Sequence, residues 1–193
     1  MLLSGWDDRT LFASEGMVRS AGEMIPWAVS KGIASSISEF FSLVDTVSDS
    51  GELFVLPALH GLGTPYNDPE AVVLIQGESS SSSKGELAKA ILEGIAFRMS
   101  EIVELSVESL GLESNAVLPI DGGLSRSDAF CQIQADLLGR PLVRHSIVEA
   151  TVYGAAVAGG QGIGSDVYGS SHQGDIFEPI FTRGEADEKL SKW

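Results

Sequence analysis

A glycine turn between a strand and a helix holds the residue types in this chain that could do chemistry. Gly122 and Gly123 follow the apolar run 117–120, which predicts a buried strand, and Ser127 is a good N-cap for the helix-forming run 129–138. Glycines let the backbone approach a ligand without a Cβ in the way, and a helix N-terminus offers unpaired N–H groups. The corner is a candidate site for an anion or a ribose phosphate, although a Gly-Gly pair alone is more often a tight turn.

The composition is that of a globular protein with an acidic surface. The 193 residues are 44% hydrophobic and 20% charged, and 27 acids against 12 bases give a net charge of −15. This length suits one domain with one core. Because an acidic surface repels phosphate backbones and anionic lipid heads, we expect neither nucleic acid nor a membrane as a partner. The acidity itself is most simply interpreted as a means of solubility.

The lack of a recognisable targeting signal and the cysteine usage lead us to expect a cytoplasmic protein. The start of the chain has no basic region followed by an apolar core, and no apolar run is long enough to span a membrane. The single cysteine, Cys131, cannot form an internal disulfide, which fits a reducing compartment. Because it lies in a predicted helix, we interpret it as a small buried residue rather than a nucleophile.

Strands that alternate with helices predict an α/β fold with a mainly parallel sheet. Strands or extended segments are predicted at residues 10–14, 53–56, 71–76, 117–120 and 142–144, and helices at 17–31, 37–47, 84–110, 129–138 and 149–160. Pro26 lies inside the first helix and predicts a kink or a break there. A capping box at Ser83 opens the longest helix and Gly111 ends it. We interpret the glutamates of that helix as its solvent side: Glu93, Glu101 and Glu104.

A loop rich in glycine and proline precedes the longest helix. Two glycines and two prolines in residues 60–69 exclude regular structure and predict a rigid loop. His60 at its start invites a catalytic role, but we interpret it as a structural side chain that bonds a loop carbonyl.

Four motifs, in the same order along the chain, resemble those of the FGGY carbohydrate kinases. They are Gly-Leu-Gly-Thr-Pro-Tyr-Asn-Asp-Pro at 61–69, Leu-Glu-Gly-Ile-Ala-Phe-Arg at 92–98, the Asp-Gly-Gly corner with Gln-Ala-Asp-Leu-Leu-Gly at 134–139, and the helix from 149 to 156. The resemblance covers roughly residues 10–193. The loop favours glycerol kinase-like members, and its Asn-Asp-Pro is also close to the xylulose kinase version.

The resemblance implies an actin-like ATPase, or ribonuclease H-like, fold in two lobes, with a mixed sheet and helices on both faces. In that family the first lobe holds a sugar or polyol and the catalytic aspartate. The second lobe holds ATP, with Mg²⁺ between them. This chain resembles only the second lobe, without its first strands, so we assign residues 1–164 to an incomplete nucleotide-binding domain and 165–193 to a polar tail. No catalytic residue and no metal ligand is assigned.

The same resemblance implies which residues bind the nucleotide. Gly122 and Gly123 match the positions against the ribose and phosphates, and Ser127 matches an asparagine near the adenosine. Gly22 matches a glycine on the nucleotide cleft. Pro26 stands where glycerol kinases usually have a glutamine near the base, so the adenine contact departs from the family pattern.

The expected function is the ATP-binding lobe of a sugar or polyol kinase, inactive alone because the lobe with the base is missing. The alternative is a nucleotide-binding or scaffolding fragment with no transfer activity. An open strand edge at 10–14 predicts a homo-oligomer, or pairing with a chain that carries the first lobe. The 61–69 motif disfavours other actin-like ATPases, and the missing Gly-x-Gly-x-x-Gly spacing disfavours a Rossmann dehydrogenase. In the family, contacts in the first lobe select the sugar, so the sequence of this chain does not identify the substrate.

Overall fold

The computed structural model describes residues 2–6, 9–111, 116–147, 149–165 and 174–193, and for residues 2–13 it describes the backbone alone. Strands and helices come in pairs up to β4 and alternate from α3 onward. In chain order they are β1 (Leu2–Trp6), β2 (Arg9–Ala13), α1 (Met24–Ser30), α2 (Ile37–Val44), β3 (Phe54–Leu56), β4 (Leu74–Gln76), α3 (Lys84–Leu110), β5 (Leu118–Ile120), a 3₁₀ helix (Leu124–Arg126), α4 (Asp128–Leu138), β6 (Leu142–Arg144), α5 (Ala150–Gly162), β7 (Asp175–Phe177) and α6 (Arg183–Lys192).

The described strands form three small sheets with a single parallel pair. β1 pairs with β2, and β3 with β4, both antiparallel, while β6 lies parallel to β5 and antiparallel to β7. Parallel neighbours need a crossover connection, and α4 supplies one between β5 and β6. The expectation of a mainly parallel sheet is therefore wrong, whereas the mixed sheet implied by the family resemblance is confirmed.

β5 lies at the edge of its sheet among the described strands, because it pairs with β6 on one side only. Its residues are half-buried or exposed, and the preceding Val117 is 52% exposed. The strand is where the sequence predicts it, but the prediction that it is buried is wrong. A short apolar run does not reveal how many neighbours its strand has.

The long helix α3 is the centre of the core. Its capping box at Ser83 is present, and Gly111 ends it in the left-handed conformation, so both predicted ends are confirmed. α2, β3 and α4 all contact α3. The middle of the helix is consequently buried on all sides, including Glu93, which is 7% exposed. The prediction that Glu93 faces solvent is wrong, because its carboxylate accepts a bond from Ser50 Oγ at 2.5 Å instead.

α1 begins at Met24, seven residues later than the start predicted from the spacing of apolar residues. Pro26 is the third helical residue, where the backbone N–H has no partner within the helix, so the proline neither kinks nor breaks it. The preceding segment turns to the 60–69 loop instead, where Met17 O accepts a bond from Thr64 N at 3.2 Å. The first half of the predicted helix is therefore wrong.

Residues 174–193, which belong to the predicted polar tail 165–193, fold back onto the core as β7 and α6. The Asp136 carboxylate accepts a bond from Ile180 N at 2.6 Å, and the Trp193 ring stacks on Phe97 with centroids 5.2 Å apart. These two anchors explain why a segment so rich in charge is ordered. The domain division at residue 164 stays a prediction. None of the described helices is long and apolar enough to cross a membrane.

Candidate functional site

The Gly-Gly corner lies where β5 ends and the 3₁₀ helix begins. Gly122 has φ 85°, in the left-handed region that favours glycine, whereas Gly123 has φ −60°. A Cβ built on either glycine would meet no atom within 4 Å. Ser127 caps α4 by accepting a bond from Phe130 N at 3.2 Å, as the sequence predicts. The corner thus combines a turn that requires glycine, open space, and a capped helix start.

A cavity of about 580 Å³ separates this corner from α2. Its volume lies within the range of small-molecule sites in proteins. The cavity is lined from α2 and its C-cap by Ile37, Ser38, Phe41, Ser42 and Asp45, and from the corner by Gly123, Arg126, Ser127, Asp128 and Ala129. Both walls of the cavity therefore carry apolar and polar groups.

The structure brings two of the four predicted site residues to this cavity. Gly123 and Ser127 line it, and Gly122 is the next residue along the chain. Gly22 lies exposed in the turn before α1 and is not among the lining residues. The assignment of all four to a nucleotide remains a prediction.

The α2 side of the cavity was missed by sequence reasoning, which treated that helix only as an amphipathic packing element. A usable signal was present. Ser38, Ser42 and Asp45 have the spacing i, i+4, i+7, which places three small polar residues on one face of a helix. Nothing in the sequence indicates that this face lies opposite the Gly-Gly corner.

The turn is held from inside by Ser125, which is completely buried. Ser125 Oγ donates to the carbonyl of Gly122 at 2.8 Å, and the carbonyl of Ser125 accepts from Arg144 Nη1 at 2.8 Å. The thiol of Cys131 donates to the same carbonyl at 3.2 Å. Burial raises the pKa of Cys131 to about 11, so the group is a neutral thiol at pH 7 and a poor nucleophile.

The arginines near the cavity have acidic partners. Arg126 Nη2 lies 2.8 Å from Glu149 Oε1, with both side chains exposed. Hydrogen bonds to Asp175 and then Asp128 raise the pKa of Arg144, so it stays protonated. Exposed ion pairs contribute only about 0–1 kcal/mol, so an incoming phosphate could draw Arg126 away from Glu149. Arg144 is held more firmly.

The described residues offer no complete metal cage, because no three of their His, Cys, Asp or Glu side chains come together. Mg²⁺ at phosphate sites commonly uses one or two carboxylates and completes its shell with phosphates and water. The described residues could therefore supply at most part of the coordination shell of such an ion.

His60 does not line the cavity and does not bond a loop carbonyl. Its Nε2 lies 2.7 Å from Glu23 Oε2, and both side chains are exposed. The interpretation of His60 as structural is kept, with a different partner from the expected one.

Solved structures of the same fold define the class of protein. The chain superimposes on a glycerol kinase from Plasmodium falciparum, solved with ADP, with a TM-score of 0.79 and 25% identity over 90% of this chain and 35% of that one. It superimposes on a xylulose kinase from Lactobacillus acidophilus with a TM-score of 0.75 and 24% identity, covering 91% of this chain and 37% of that one. These matches show that the chain has the actin-like ATPase fold, as the family resemblance implies.

The chain belongs to the FGGY family of carbohydrate kinases, whose C-terminal domain matches residues 3–162. It is 34% identical over 188 residues to a glycerol kinase from Alkalilimnicola ehrlichii, covering 96% of this chain and 38% of the relative. It is 38% identical over 159 residues to one from Thermus brockianus, covering 82% of this chain and 32% of the relative. The chain therefore spans about a third of the length of these relatives, and the resemblance drawn from four motifs is confirmed.

Proposed function

We propose that this chain is the nucleotide-binding lobe of an ATP-dependent sugar or polyol kinase. Gly122 and Gly123 lie against the ribose and phosphates, Ser127 lies near the adenosine, and the base enters the cavity against α2. The observation that carries this proposal is the cavity of about 580 Å³ in front of two glycines whose side-chain positions are open. Gly22 does not line the cavity, and we propose that it borders the nucleotide cleft beyond the lining residues.

The chemistry of phosphoryl transfer suits such a backbone cradle. ATP supplies the phosphoryl group, and catalysis is mostly positioning and electrostatic stabilisation of charge on the phosphates. A Cβ-free turn and a helix start can hold phosphate oxygens closely without a side chain between them. Mg²⁺ would arrive with the phosphates. We propose the cytoplasm as the location, which the presence of a single, free cysteine supports.

Replacing Gly123 by aspartate should abolish the heat of ADP binding in calorimetric titration. The substitution is compatible with the fold, because Gly123 has an ordinary helical φ of −60° and open space around its Cβ position. The new carboxylate would stand where phosphate oxygens are proposed to lie, and two negative charges at contact distance repel strongly when water is excluded. We expect a rise in Kd of at least about a hundredfold, with an unchanged circular dichroism spectrum.

A Gly123→Asn variant is the matched control, since asparagine has nearly the same shape as aspartate and no charge. It should weaken ADP binding less than Gly123→Asp, and the difference between the two should shrink in high salt. Equal ADP affinity in wild type and Gly123→Asp would refute the proposed position of the phosphates. A wild-type chain with no heat of binding would refute the proposed function itself.

A polypeptide of these 193 residues should show no phosphoryl transfer to glycerol or xylulose above background in a coupled assay. In the family resemblance the general base belongs to the other lobe, and loss of a base alone typically costs about 10²–10⁴ in rate. Loss of the acceptor's binding surface removes the advantage of positioning as well. Turnover above background by the purified chain would overturn this expectation.

The alternative proposal is a non-catalytic nucleotide-binding or scaffolding fragment. It also predicts no phosphoryl transfer by the chain alone, but it predicts that adding a first lobe restores no activity. Under the kinase proposal the chain forms a homo-oligomer or pairs with a chain that carries the first lobe. Adding a first lobe from a glycerol kinase relative should then restore turnover. Light scattering at high concentration reports self-association, and a clean monomer that no first lobe rescues would favour the alternative.

A further inference from the structure

We propose that Arg144 is a positioning residue for the nucleotide site, through the backbone of the Gly-Gly corner and the charge of two neighbouring carboxylates. The inference rests on the proposed function, because the ligand positioned is ADP or ATP. Arg144 lies at the end of β6, outside the cavity lining, and belongs to none of the four family motifs.

One guanidinium joins three separate parts of the chain. Arg144 Nη1 donates to the carbonyl of Ser125 at 2.8 Å and to Asp128 Oδ1 at 2.7 Å, and Nη2 donates to Asp175 Oδ2 at 2.7 Å. The group also lies 5.1 Å from the centre of the Phe177 ring. The 3₁₀ helix, the first turn of α4 and β7 are therefore held by a single side chain that is 16% exposed.

Ser125 connects Arg144 to the Gly-Gly corner. The carbonyl of Ser125 is held by Arg144, while the hydroxyl of Ser125 holds the carbonyl of Gly122 at 2.8 Å. A shift of Gly122 would therefore disturb its bond to this buried serine, and Gly123 is the next residue along the chain. Since a binding group displaced by about 1 Å can lose much of its effect, a relay that fixes the turn should be measurable in affinity.

The charge of Arg144 matters as much as its geometry. Asp128 lines the cavity and Asp175 lies beside it on the same guanidinium, in a chain of net charge −15. Without the arginine, two carboxylates would stand near the proposed polyphosphate with no cation between them. Arg126, the arginine that lines the cavity, is already paired with Glu149.

The geometry and charge contributions can be separated by two substitutions in the full chain. Arg144→Lys keeps the charge but cannot span the carbonyl and both carboxylates, because an ammonium has no planar fork. Arg144→Gln removes the charge as well. A purely structural arginine would change the stability of either variant and leave the ADP affinity of the folded protein unchanged.

Titration with ADP at low and high salt is the first measurement. We expect Arg144→Lys to raise Kd about tenfold at both salt concentrations, the size of one lost charge-assisted hydrogen bond. Arg144→Gln should raise Kd about a hundredfold at low salt and approach the lysine variant at high salt, since screening removes the long-range repulsion. Arg183→Lys is the matched control. Arg183 also pairs with acids, Asp187 at 3.0 Å among them, and it bonds the carbonyl of Leu138 at the end of α4, away from the corner.

Amide hydrogen exchange of the corner, measured without nucleotide, is the second measurement. Both Arg144 variants should exchange the amides of residues 122–125 faster than wild type, while Arg183→Lys should not. Should the Arg144 variants fail to fold, Ser125→Ala tests the same relay, since it removes the bond to Gly122 and leaves the guanidinium in place. It should raise both the exchange rate and the Kd for ADP about five- to tenfold.

The outcomes distinguish this inference from the proposed function. A wild-type chain that does not bind ADP refutes the function, while the exchange measurement still decides whether Arg144 fixes the corner. Folded Arg144 variants with wild-type exchange and wild-type ADP affinity overturn the inference and leave the function intact. An affinity loss equal in Arg183→Lys would also overturn it, because the effect would then not be specific to the corner.

Discussion

Gly94→Ala is expected to lower the free energy of unfolding by about 2–4 kcal/mol, although alanine is the better helix former. A Cβ on Gly94 would lie 2.0 Å from the carbonyl oxygen of Val55 and 3.1 Å from its carbon. Both atoms belong to the backbone of β3, which cannot swing aside as a side chain would. The gain in helix propensity is only about 1 kcal/mol, so the steric cost dominates. Urea unfolding followed by circular dichroism measures the change.

Gly154→Ala is the matched control, because Gly154 also lies inside a helix, α5, but a Cβ there meets nothing within 4 Å. Only the propensity applies at this position, and alanine should raise the stability by about 0.5–1 kcal/mol. The two substitutions should therefore shift the urea midpoint in opposite directions. If Gly94→Ala were neutral or stabilising, α3 and β3 would not approach as closely as described.

Arg98→Met is expected to cost about 3 kcal/mol of stability, because it removes a buried cation and leaves its partners unpaired. Arg98 is 1% exposed; its Nη2 donates to the carbonyl of Thr64 at 2.6 Å and its Nη1 bonds Glu101. The guanidinium also lies 4.8 Å from the centre of the Tyr66 ring. Burial lowers the pKa of Arg98, but the group keeps its charge at neutral pH.

Tyr66→Phe is the control for this cluster, since it removes only the bond from the Tyr66 hydroxyl to Glu101 at 2.9 Å. Tyr66 is exposed, so we expect a loss of about 0.5–1 kcal/mol. Limited proteolysis adds a local measurement. Cleavage within residues 60–69 should accelerate in Arg98→Met and change little in Tyr66→Phe. Equal effects of the two substitutions would mean that the arginine does not anchor the loop.

These contacts give a physical meaning to the loop motif that identifies the family. Gly61 has φ 76°, and a Cβ on it would lie 2.6 Å from the carbonyl oxygen of Asp68. A Cβ on Gly63 would lie 2.1 Å from the carbonyl oxygen of Met17. Arg98 and Tyr66 then hold the loop on α3. The motif is most directly explained as a requirement of backbone packing.

The candidate site was half predictable from the sequence. The Gly-Gly turn and the Ser127 cap were predicted because each depends on residues within a few positions of one another. The α2 wall and the Arg144 contact were not, since the guanidinium reaches a carbonyl 19 residues earlier in the chain. Whether a side chain lines a cavity depends on which other element lies opposite its helix face. Helical spacing predicts the face but not the element opposite.

The sequence by itself determined where elements begin and end when the signal was local. The capping box at Ser83, the left-handed Gly111, and the order of strand, turn and helix at the corner follow from neighbouring residues and need no tertiary partner. Only the tertiary structure decided that Glu93 is buried and that α1 starts at Met24. Glu93 is satisfied by Ser50, 43 residues away, and residues 17–23 are drawn to the 60–69 loop. The free energy of both choices comes from contacts between segments distant in sequence, and no local pattern records them.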